Sequence, residues 1–310
     1  MILSAGLSPA WQEILVFDRL RLGEVNRALE SHWSASGKVL NAARAVNRLC
    51  RPQRTPNRGL TVMGGYAGEA MAAALAAEGL EVLRVRSATP SRVCTTVIDR
   101  SEGTITELVE NAGPIRAAEL EEFRRLYAEE AAAAGTVVLT GSLPAGAPAD
   151  YYRALLSATR APAILDVRGP ELMAALELRP YLVKPNREEV AKTTGKPIRS
   201  EEDLREAMLE LARRGAQWVL VSQGRDAVWA HGEGRFHRFR PPRIEAVNPI
   251  GSGDCLAAGI AVATARGESA LEAIRYGIAC AAENAAVLLP ADVDPEKVEA
   301  RRAEVTVEEA

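Results

Sequence analysis

Residues 136–159 read TVVLTGSLPAGAPADYYRALLSAT, where a short apolar run is followed by a glycine turn and a stretch of helical length. Thr136–Thr140 is typical of a buried strand, and Pro148–Thr159 has the amphipathic pattern of a helix. The same alternation recurs along the chain. We predict further strands at Ile2–Leu7, Leu60–Met63, Ala163–Val167, Tyr181–Lys184 and Trp218–Ser222, and further helices at Ala67–Glu78, Ala117–Ala134 and Glu201–Arg214. This order predicts an α/β fold, with a mostly parallel sheet covered by helices on both faces.

Two segments depart from this alternation. Trp11–Trp33 and Ser91–Glu110 alternate polar and apolar residues with no helix between the runs, and the second contains a turn signal at Ser101-Glu102-Gly103. We interpret residues 11–34 and 91–110, approximately, as a small antiparallel sheet outside the main layer, a candidate lid. We find no internal repeat and no linker, so we predict a single domain over residues 1–310.

Composition excludes several classes of protein. The chain has 310 residues, 47% of them hydrophobic and 25% charged, with a net charge of −3 and no basic block, which argues against nucleic acid as a partner. No apolar run approaches the length of a membrane span, and the N-terminus lacks the basic region of a signal peptide. The four cysteines are scattered, which predicts reduced thiols in a cytoplasmic protein. The three histidines show no zinc-binding spacing.

The run Val247–Gly259 (VNPIGSGDCLAAG) carries the most chemistry. Glycines at a helix N-terminus let backbone N–H groups approach an anion, and the helix dipole favours negative charge there. Asp254 stands where it could take a proton from a nucleophile facing that anion. The alternative is an ordinary loop with Asp254 as a helix cap. We expect the helix terminus to lower the pKa of Asp254 and make it a weak base.

Glycine turns follow several predicted strands, at Gly64-Gly65, Gly141–Pro144, Ser222–Gly224 and Gly251–Gly253. Ligands in an open α/β sheet bind beyond the carboxyl ends of the strands, so these turns suggest one long cleft. Glycine turns also follow strands in α/β proteins without any such role. The chain contains no GxxxxGK[ST] loop, no strand–GxGxxG–helix motif and no GxSxG elbow.

Two further sets of residues are candidates for binding phosphate or metal. Asn186 and Glu189 share a helix face and could hold water around Mg²⁺, but they could equally form a capping box, which taken alone is the preferred interpretation. Lys38 lies on a glycine turn at a helix N-terminus, against the dipole, which suggests an anionic ligand. Arg92 is a second isolated cation. Each could also be a solvated surface charge.

The chain resembles the PfkB (ribokinase-like) family of carbohydrate kinases, most closely the branch of 1-phosphofructokinase and tagatose-6-phosphate kinase. The resemblance runs in order through Leu7–Gln12, Gly37–Ala43, Gly64-Gly65, Ser91-Arg92, Thr106–Glu110, Thr140–Pro144, Lys184–Glu189, Ser222–Gly224 and Asn248–Gly259. It implies a three-layer αβα sandwich with a β lid. It also implies ATP and Mg²⁺ as cofactors, leaves a monovalent cation open, and suggests a monomer or a homodimer formed through the lid.

The resemblance also implies a role for each matching residue. Asp254 would be the catalytic base, and the amides of Gly251, Ser252 and Gly253 would form the anion hole. Asn186 and Glu189 would organise the water shell of magnesium. The residues matching the nucleotide site are Lys184, Asn186, Ser222, Gly224 and Asn284, the last near adenine. Those matching the sugar-phosphate site are Gln12, Gly37, Lys38, Asn41 and Arg92.

Departures from the family pattern fall at the sugar end. The family branch usually has Asn-Pro-Ala-x-Asp where this chain has Ser8-Pro9-Ala10-Trp11-Gln12, so an amide replaces a carboxylate. Val39 and Ala227 replace usual glycines. We therefore expect an active kinase with an altered acceptor, acting on a phosphorylated ketohexose: fructose 1-phosphate, tagatose 6-phosphate or fructose 6-phosphate. The alternatives are a kinase for an unphosphorylated sugar or nucleoside, and a non-catalytic regulator that binds a sugar phosphate.

Overall fold

The computed structural model describes residues 1–310. The strands are β1 (Ile2–Ala5), β2 (Ala10–Phe17), β3 (Glu30–Ser36), β4 (Asn57–Met63), β5 (Val82–Arg86), β6 (Arg92–Asp99), β7 (Thr104–Val109), β8 (Thr136–Thr140), β9 (Ala163–Asp166), β10 (Leu182–Val183), β11 (Trp218–Val221), β12 (Val228–Gly232), β13 (Arg235–Arg240) and β14 (Thr306–Glu309). The helices are α1 (Lys38–Cys50), α2 (Gly65–Ala77), α3 (Ala117–Ala133), α4 (Tyr151–Ser157), α5 (Gly169–Leu176), α6 (Arg187–Thr194), α7 (Glu201–Arg213), α8 (Ser252–Ala265), α9 (Ala270–Ala285) and α10 (Pro295–Glu304).

The main sheet confirms the predicted α/β fold. Its strand order is β14-β13-β12-β11-β10-β9-β8-β1-β4-β5. The strands from β11 to β5 run parallel, whereas β12, β13 and β14 are added in antiparallel pairs. Strands β1, β8, β9 and β11 are buried along their whole length, as apolar strands covered on both faces must be.

Successive residues of the central strands belong to opposite core layers. In β8, Val137 and Leu139 pack into one layer and Val138 into the other. Side chains alternate across a strand, so the sheet carries one apolar layer on each face. The helices α8 and α9 fill much of the second layer with small side chains, including Ala257, Ala261 and Ala279. The result is the three-layer αβα sandwich that the resemblance implies.

The lid forms a separate four-stranded sheet in the order β3-β2-β6-β7. Its strands match the predicted lid segments within a few residues. The outer pairs β2–β3 and β6–β7 are antiparallel, whereas the central pair β2–β6 is parallel. This pairing differs from the purely antiparallel sheet we expected, because β2 and β6 come from two separate excursions of the chain that leave the main layer in the same direction.

Two further observations concern the whole chain. None of the helices combines the length and the apolar character that spanning a bilayer requires. The four cysteines, Cys50, Cys94, Cys255 and Cys280, are free and buried.

Candidate active site

The candidate site lies where the parallel strands of the main sheet end. Asp166 ends β9, Gly141 follows β8, and Lys184 follows β10. The carboxyl ends of parallel strands lie along one edge of the sheet, so these residues come together although they are distant in sequence. The N-terminus of α8 faces the same edge, because Lys184 Nζ lies 3.4 Å from where a Cβ on Gly253 would stand.

The glycine turn before α8 leaves several backbone N–H groups without an acceptor. Gly251 is the N-cap with φ of 82°, a left-handed conformation that suits glycine. The Ser252 amide donates to Pro249 O at 3.1 Å, whereas the amides of Gly251, Gly253 and Asp254 have no hydrogen-bond acceptor within the chain. Of the predicted set Gly251, Ser252 and Gly253, the amides of Gly251 and Gly253 are therefore free to bind an anion, and that of Asp254 is free as well.

Asn284 supports this turn from behind. Its Nδ2 donates to Ile250 O at 2.8 Å and to Ser252 Oγ at 3.0 Å, and its Oδ1 accepts from Ala291 N at 2.7 Å. The side chain is fully buried. Asn284 was predicted to lie near adenine, and in this structure both ends of its amide have protein partners in the core.

Asp254 is buried at the start of α8, with 6% of its surface exposed. Asn41 Nδ2 donates to its Oδ2 at 2.8 Å. Burial raises the pKa of Asp254 to about 7, and the charge of Asp166 adds to the rise, against the opposing effects of Lys38, Asn41 and Lys184. The expected lowering by the helix terminus is therefore wrong, because desolvation outweighs it.

A buried carboxylate that sequence reasoning missed lies beside the two lysines. Lys38 Nζ lies 3.2 Å and Lys184 Nζ 3.3 Å from Asp166 Oδ1. Burial alone would raise the pKa of Asp166, but the two ammonium groups hold it below its usual value. Burial would lower the pKa of Lys38, yet Asp166, Glu189 and Asp254 hold it above its usual value, so Lys38 stays charged. A single aspartate closing an otherwise apolar strand was the available signal.

Asn186 and Glu189 form the capping box that was the preferred interpretation of this pair taken alone. Asn186 Oδ1 accepts from Glu189 N at 2.9 Å, and Glu189 Oε2 accepts from Asn186 N at 3.0 Å. The second oxygen, Glu189 Oε1, remains directed at the cleft, 3.7 Å from Lys38 Nζ and 3.9 Å from Arg168 Nη1. Glu189 can therefore cap the helix with one oxygen while the other is available to a ligand.

The side chains around the site could hold magnesium only through few direct contacts. No group of three or more His, Cys, Asp or Glu side chains is arranged to hold a metal ion. One free carboxylate oxygen, Glu189 Oε1, fits an ion that keeps most of its waters and is bound mainly by phosphate, which is the usual behaviour of Mg²⁺.

The predicted nucleotide residues after β11 lie next to this cap. Ser222 forms an isolated parallel bridge with Asn186, and Arg187 N donates to Ser222 O at 3.2 Å. Gly224 is exposed in a left-handed turn, with open space where its Cβ would stand. Ser222 thus lies beside the N-terminus of α6, and Gly224 follows it in the exposed turn.

A polar cavity of about 120 Å³ lies between the lid and the strand ends. It contains three cations, Lys38, Arg92 and Arg168, and two carboxylates, Asp166 and Glu189. The remaining lining residues are Ser8, Gly141, Ser142 and Val167. Arg168, which was not predicted, is 58% exposed.

The lid residues predicted to bind the sugar phosphate are held by their own contacts. Arg92 donates to the carbonyls of Ser8, Pro9 and Glu110 at 3.1–3.2 Å. Gln12 Nε2 donates to Thr96 Oγ1 at 2.7 Å inside the lid, and Gln12 does not line the cavity.

Two predicted residues at the start of α1 are also placed. Asn41 does not line the cavity and instead contacts Asp254. Gly37 has φ of 87°, and a Cβ there would lie 2.8 Å from Ser8 O, so only glycine lets α1 begin this close to the start of the lid.

Comparisons with known proteins identify the family and the fold. A family model described as pfkB family carbohydrate kinase matches residues 13–292. The fold is shared with phosphofructokinase-2 from Escherichia coli, solved with fructose-6-phosphate (TM-score 0.87) and with potassium (TM-score 0.88), each at 23% identity over 98% of both chains. It is also shared with a protein described as a possible 1-phosphofructokinase from Thermotoga maritima, with a TM-score of 0.90 at 21% identity over 100% of this chain and 99% of that one.

Proposed function

The chain belongs to the pfkB family of carbohydrate kinases, and we propose that it transfers the γ-phosphoryl group of ATP to the free terminal hydroxyl of a phosphorylated ketohexose. Fructose 1-phosphate, tagatose 6-phosphate and fructose 6-phosphate are the acceptors of this class, and each would give a bisphosphate. The observation that carries the proposal is the buried Asp254 at a helix start with three backbone amides that have no acceptor. Lys38 and Lys184 lie nearby, where both pair with Asp166.

Asp254 is suited to act as the base. Its pKa of about 7 leaves the carboxylate and the acid in comparable amounts near neutrality, where a general base is most effective. As the acceptor oxygen bonds to phosphorus and the bond from phosphorus to the ADP oxygen breaks, the hydroxyl proton passes to Asp254. The hydrogen bond from Asn41 holds one oxygen and leaves the other for the acceptor.

The charge of the transferring group would be met by fixed donors. The amides of Gly251, Gly253 and Asp254 supply dipoles at a helix N-terminus, and Lys184 supplies a buried positive charge beside them. Such preorganised donors stabilise the transition state because phosphoryl transfer depends mainly on positioning and electrostatics. Magnesium bound to the ATP phosphates would neutralise further charge, with Glu189 Oε1 available to one of its waters.

The acceptor phosphate would be held in the cavity under the lid. Lys38 and Arg168 present side chains there that are 40% and 58% exposed, and Arg92 borders the same space. Cations that are not fully used by protein carboxylates suit a doubly charged phosphate. Gln12 stands in place of the usual aspartate, but it donates to Thr96 and does not line this cavity, so we assign it no contact with the phosphate.

One observation favours the second candidate, a kinase for an unphosphorylated sugar or nucleoside. Arg92 already donates to three backbone carbonyls, which leaves fewer of its N–H groups for a phosphate. The two candidates differ in what Arg92→Ala would do. Loss of a phosphate ligand would raise the KM for the acceptor alone, whereas loss of a lid support would lower kcat with every acceptor.

We extend the proposal to a monovalent cation and to a homodimer through the lid. The monovalent cation is supported by the shared fold with a phosphofructokinase-2 solved with potassium, and replacing potassium by tetramethylammonium in the assay tests it.

The homodimer is supported by Leu108 and Val109, which are each 57% exposed on the edge strand β7.

The decisive experiment is an ADP-release assay over ketohexose phosphates, free sugars and nucleosides, with Asp254→Asn as the matched control. We expect turnover with at least one ketohexose phosphate and a loss of about 10³-fold or more in the variant, with ATP binding retained. Turnover confined to unphosphorylated acceptors would establish the second candidate. ATP binding without turnover on any acceptor would favour a non-catalytic regulator.

A further inference from the structure

One residue at the end of β3, Ser36, links the lid sheet to the proposed catalytic base, Asp254. Ser36 is the last residue of that strand, is 1% exposed, and pairs with Ala10 of β2. The chain then turns at Gly37 and enters α1, which carries Asn41 in its first turn. A side chain at position 36 therefore belongs to the lid sheet while lying beside the residues that contact Asp254.

Two hydrogen bonds link Ser36 to Asp254. Ser36 Oγ donates to Asn41 Oδ1 at 2.9 Å, and Asn41 Nδ2 donates to Asp254 Oδ2 at 2.8 Å. All three side chains are buried. A primary amide has an accepting end and a donating end, so a hydroxyl that occupies the oxygen leaves the nitrogen for the carboxylate.

The strand end itself is held in place. Arg44 Nη2 donates to Ala35 O at 2.7 Å, and its guanidinium binds the carboxylate of Glu78 at 2.6 and 2.9 Å. Arg44 is 5% exposed, whereas the side chain of Glu78 is 30% exposed. The carbonyl before Ser36 is thus held by α1 through Arg44, which also binds the residue that follows α2.

We propose that Ser36 is a positioning residue, whose hydroxyl sets the orientation of the Asn41 amide and so couples the lid strand to the catalytic base. The inference rests on the proposed function of Asp254. Without the hydroxyl, the amide can turn its oxygen toward Asp254, where it would repel the carboxylate and favour the protonated acid. The other charged groups facing Asp254 are Asp166, Lys38 and Lys184, whereas the Ser36 hydroxyl hydrogen-bonds to Asn41.

The test compares Ser36→Ala with Ser34→Ala. Ser34 lies on the same strand, and its hydroxyl is buried without a hydrogen-bond partner, so it is a matched control. For Ser36→Ala we expect a drop in kcat of about tenfold at pH 7, an acid limb of kcat/KM moved to higher pH, and an unchanged KM for ATP. We expect Ser34→Ala to behave as the wild type.

A double-mutant cycle separates this role from general packing. If Ser36 acts through Asn41, then Ser36→Ala should cost nothing further in an Asn41→Ala background. Additive losses in the double variant, or equal losses in Ser34→Ala and Ser36→Ala with an unmoved pH profile, would overturn the proposal.

A readout without turnover keeps this inference separate from the proposed function. The carboxyl resonance of Asp254, assigned in ¹³C-aspartate-labelled protein by its loss in Asp254→Asn, should titrate at higher pH in Ser36→Ala than in the wild type. An unmoved titration would refute the role of Ser36. A failure to phosphorylate any acceptor would refute the proposed function and leave this measurement valid.

Discussion

The burial of Asp254 raises its pKa toward the value that suits a base, and the same burial lowers the stability of the folded protein when the carboxylate is charged. Asp254 lies in the core and faces a second carboxylate, Asp166, whose only signal in the sequence is its place at the end of an apolar strand. The sequence did predict Asp254, Lys38 and the Asn186–Glu189 pair, because their motifs are local. It could not predict Asp166, since the significance of that residue comes from two lysines located 128 residues before it and 18 after it.

The pH dependence of activity follows from the state of Asp254. As the proposed base, Asp254 must be deprotonated, and its burial and the charge of Asp166 raise its pKa to about 7. We therefore expect kcat/KM to fall about tenfold per pH unit below about pH 7 and to level off above it. A pH profile of kcat/KM at saturating ATP measures this. An acid limb near pH 4 would contradict the assignment.

Asp254→Asn should make the protein more stable at neutral pH. The pKa of Asp254 is higher in the folded state than its ordinary value of 3.8, so the folded state binds more protons and stability falls as pH rises from about 4 to 7. Asparagine does not titrate and so avoids this loss. We expect the free energy of unfolding of Asp254→Asn to exceed that of the wild type by an amount that grows with pH, to at most about 4 kcal/mol above pH 7. Urea unfolding at pH 4.5 and pH 8 measures it, and a gain that is independent of pH would argue against a buried charge.

At the scale of elements, the strand ends and helix starts build the site, and the sequence predicts most of them. The hairpin β12–β13 was missed. Its turn places Glu233 and Gly234 at positive φ, of 52° and 77°, and glutamate is an unusual residue at the first position. The arginines and histidines of β13 also hide its strand character, because His237 and Phe239 are the residues that face the core.

The turn before α8 should depend on Asn284. Asn284→Leu keeps the approximate size of the side chain but removes the partners of Ile250 O and Ala291 N, which are then left without hydrogen bonds. We expect a loss of about 1–3 kcal/mol in the free energy of unfolding and a drop in kcat of about tenfold or more, since the free amides lose their support. Thermal melts and steady-state kinetics measure the two effects. Reduced stability with unchanged kcat would show that the turn keeps its shape without the amide.

At the scale of the whole molecule, the strand order is what the sequence could not give. β1 lies between β8 and β4, so the first strand of the chain is central in the sheet. Hydrophobic patterns predict that a strand is buried but do not select its neighbours. The edge strands β5 and β14, which were not predicted, complete the sheet without a strong local signal.

The lid should hold two copies of the protein together. Leu108 and Val109 lie exposed at the end of the edge strand β7, and exposed apolar residues on an unpaired strand edge can pair with another chain. We expect the wild type to sediment as a dimer and Leu108→Glu/Val109→Lys to sediment as a monomer with an unchanged circular dichroism spectrum. A wild-type monomer at micromolar concentration would contradict the proposal.

The burial of all four cysteines has a practical consequence. Burial raises the thiol pKa of Cys50, Cys255 and Cys280, and Cys94 is only 5% exposed, so maleimide dyes meet no reactive surface thiol in the native protein. A single cysteine introduced at Leu22, which is 91% exposed between β2 and β3, would therefore be labelled alone. Because the native cysteines need not be removed first, a dye at position 22 can report on the lid by fluorescence in solution.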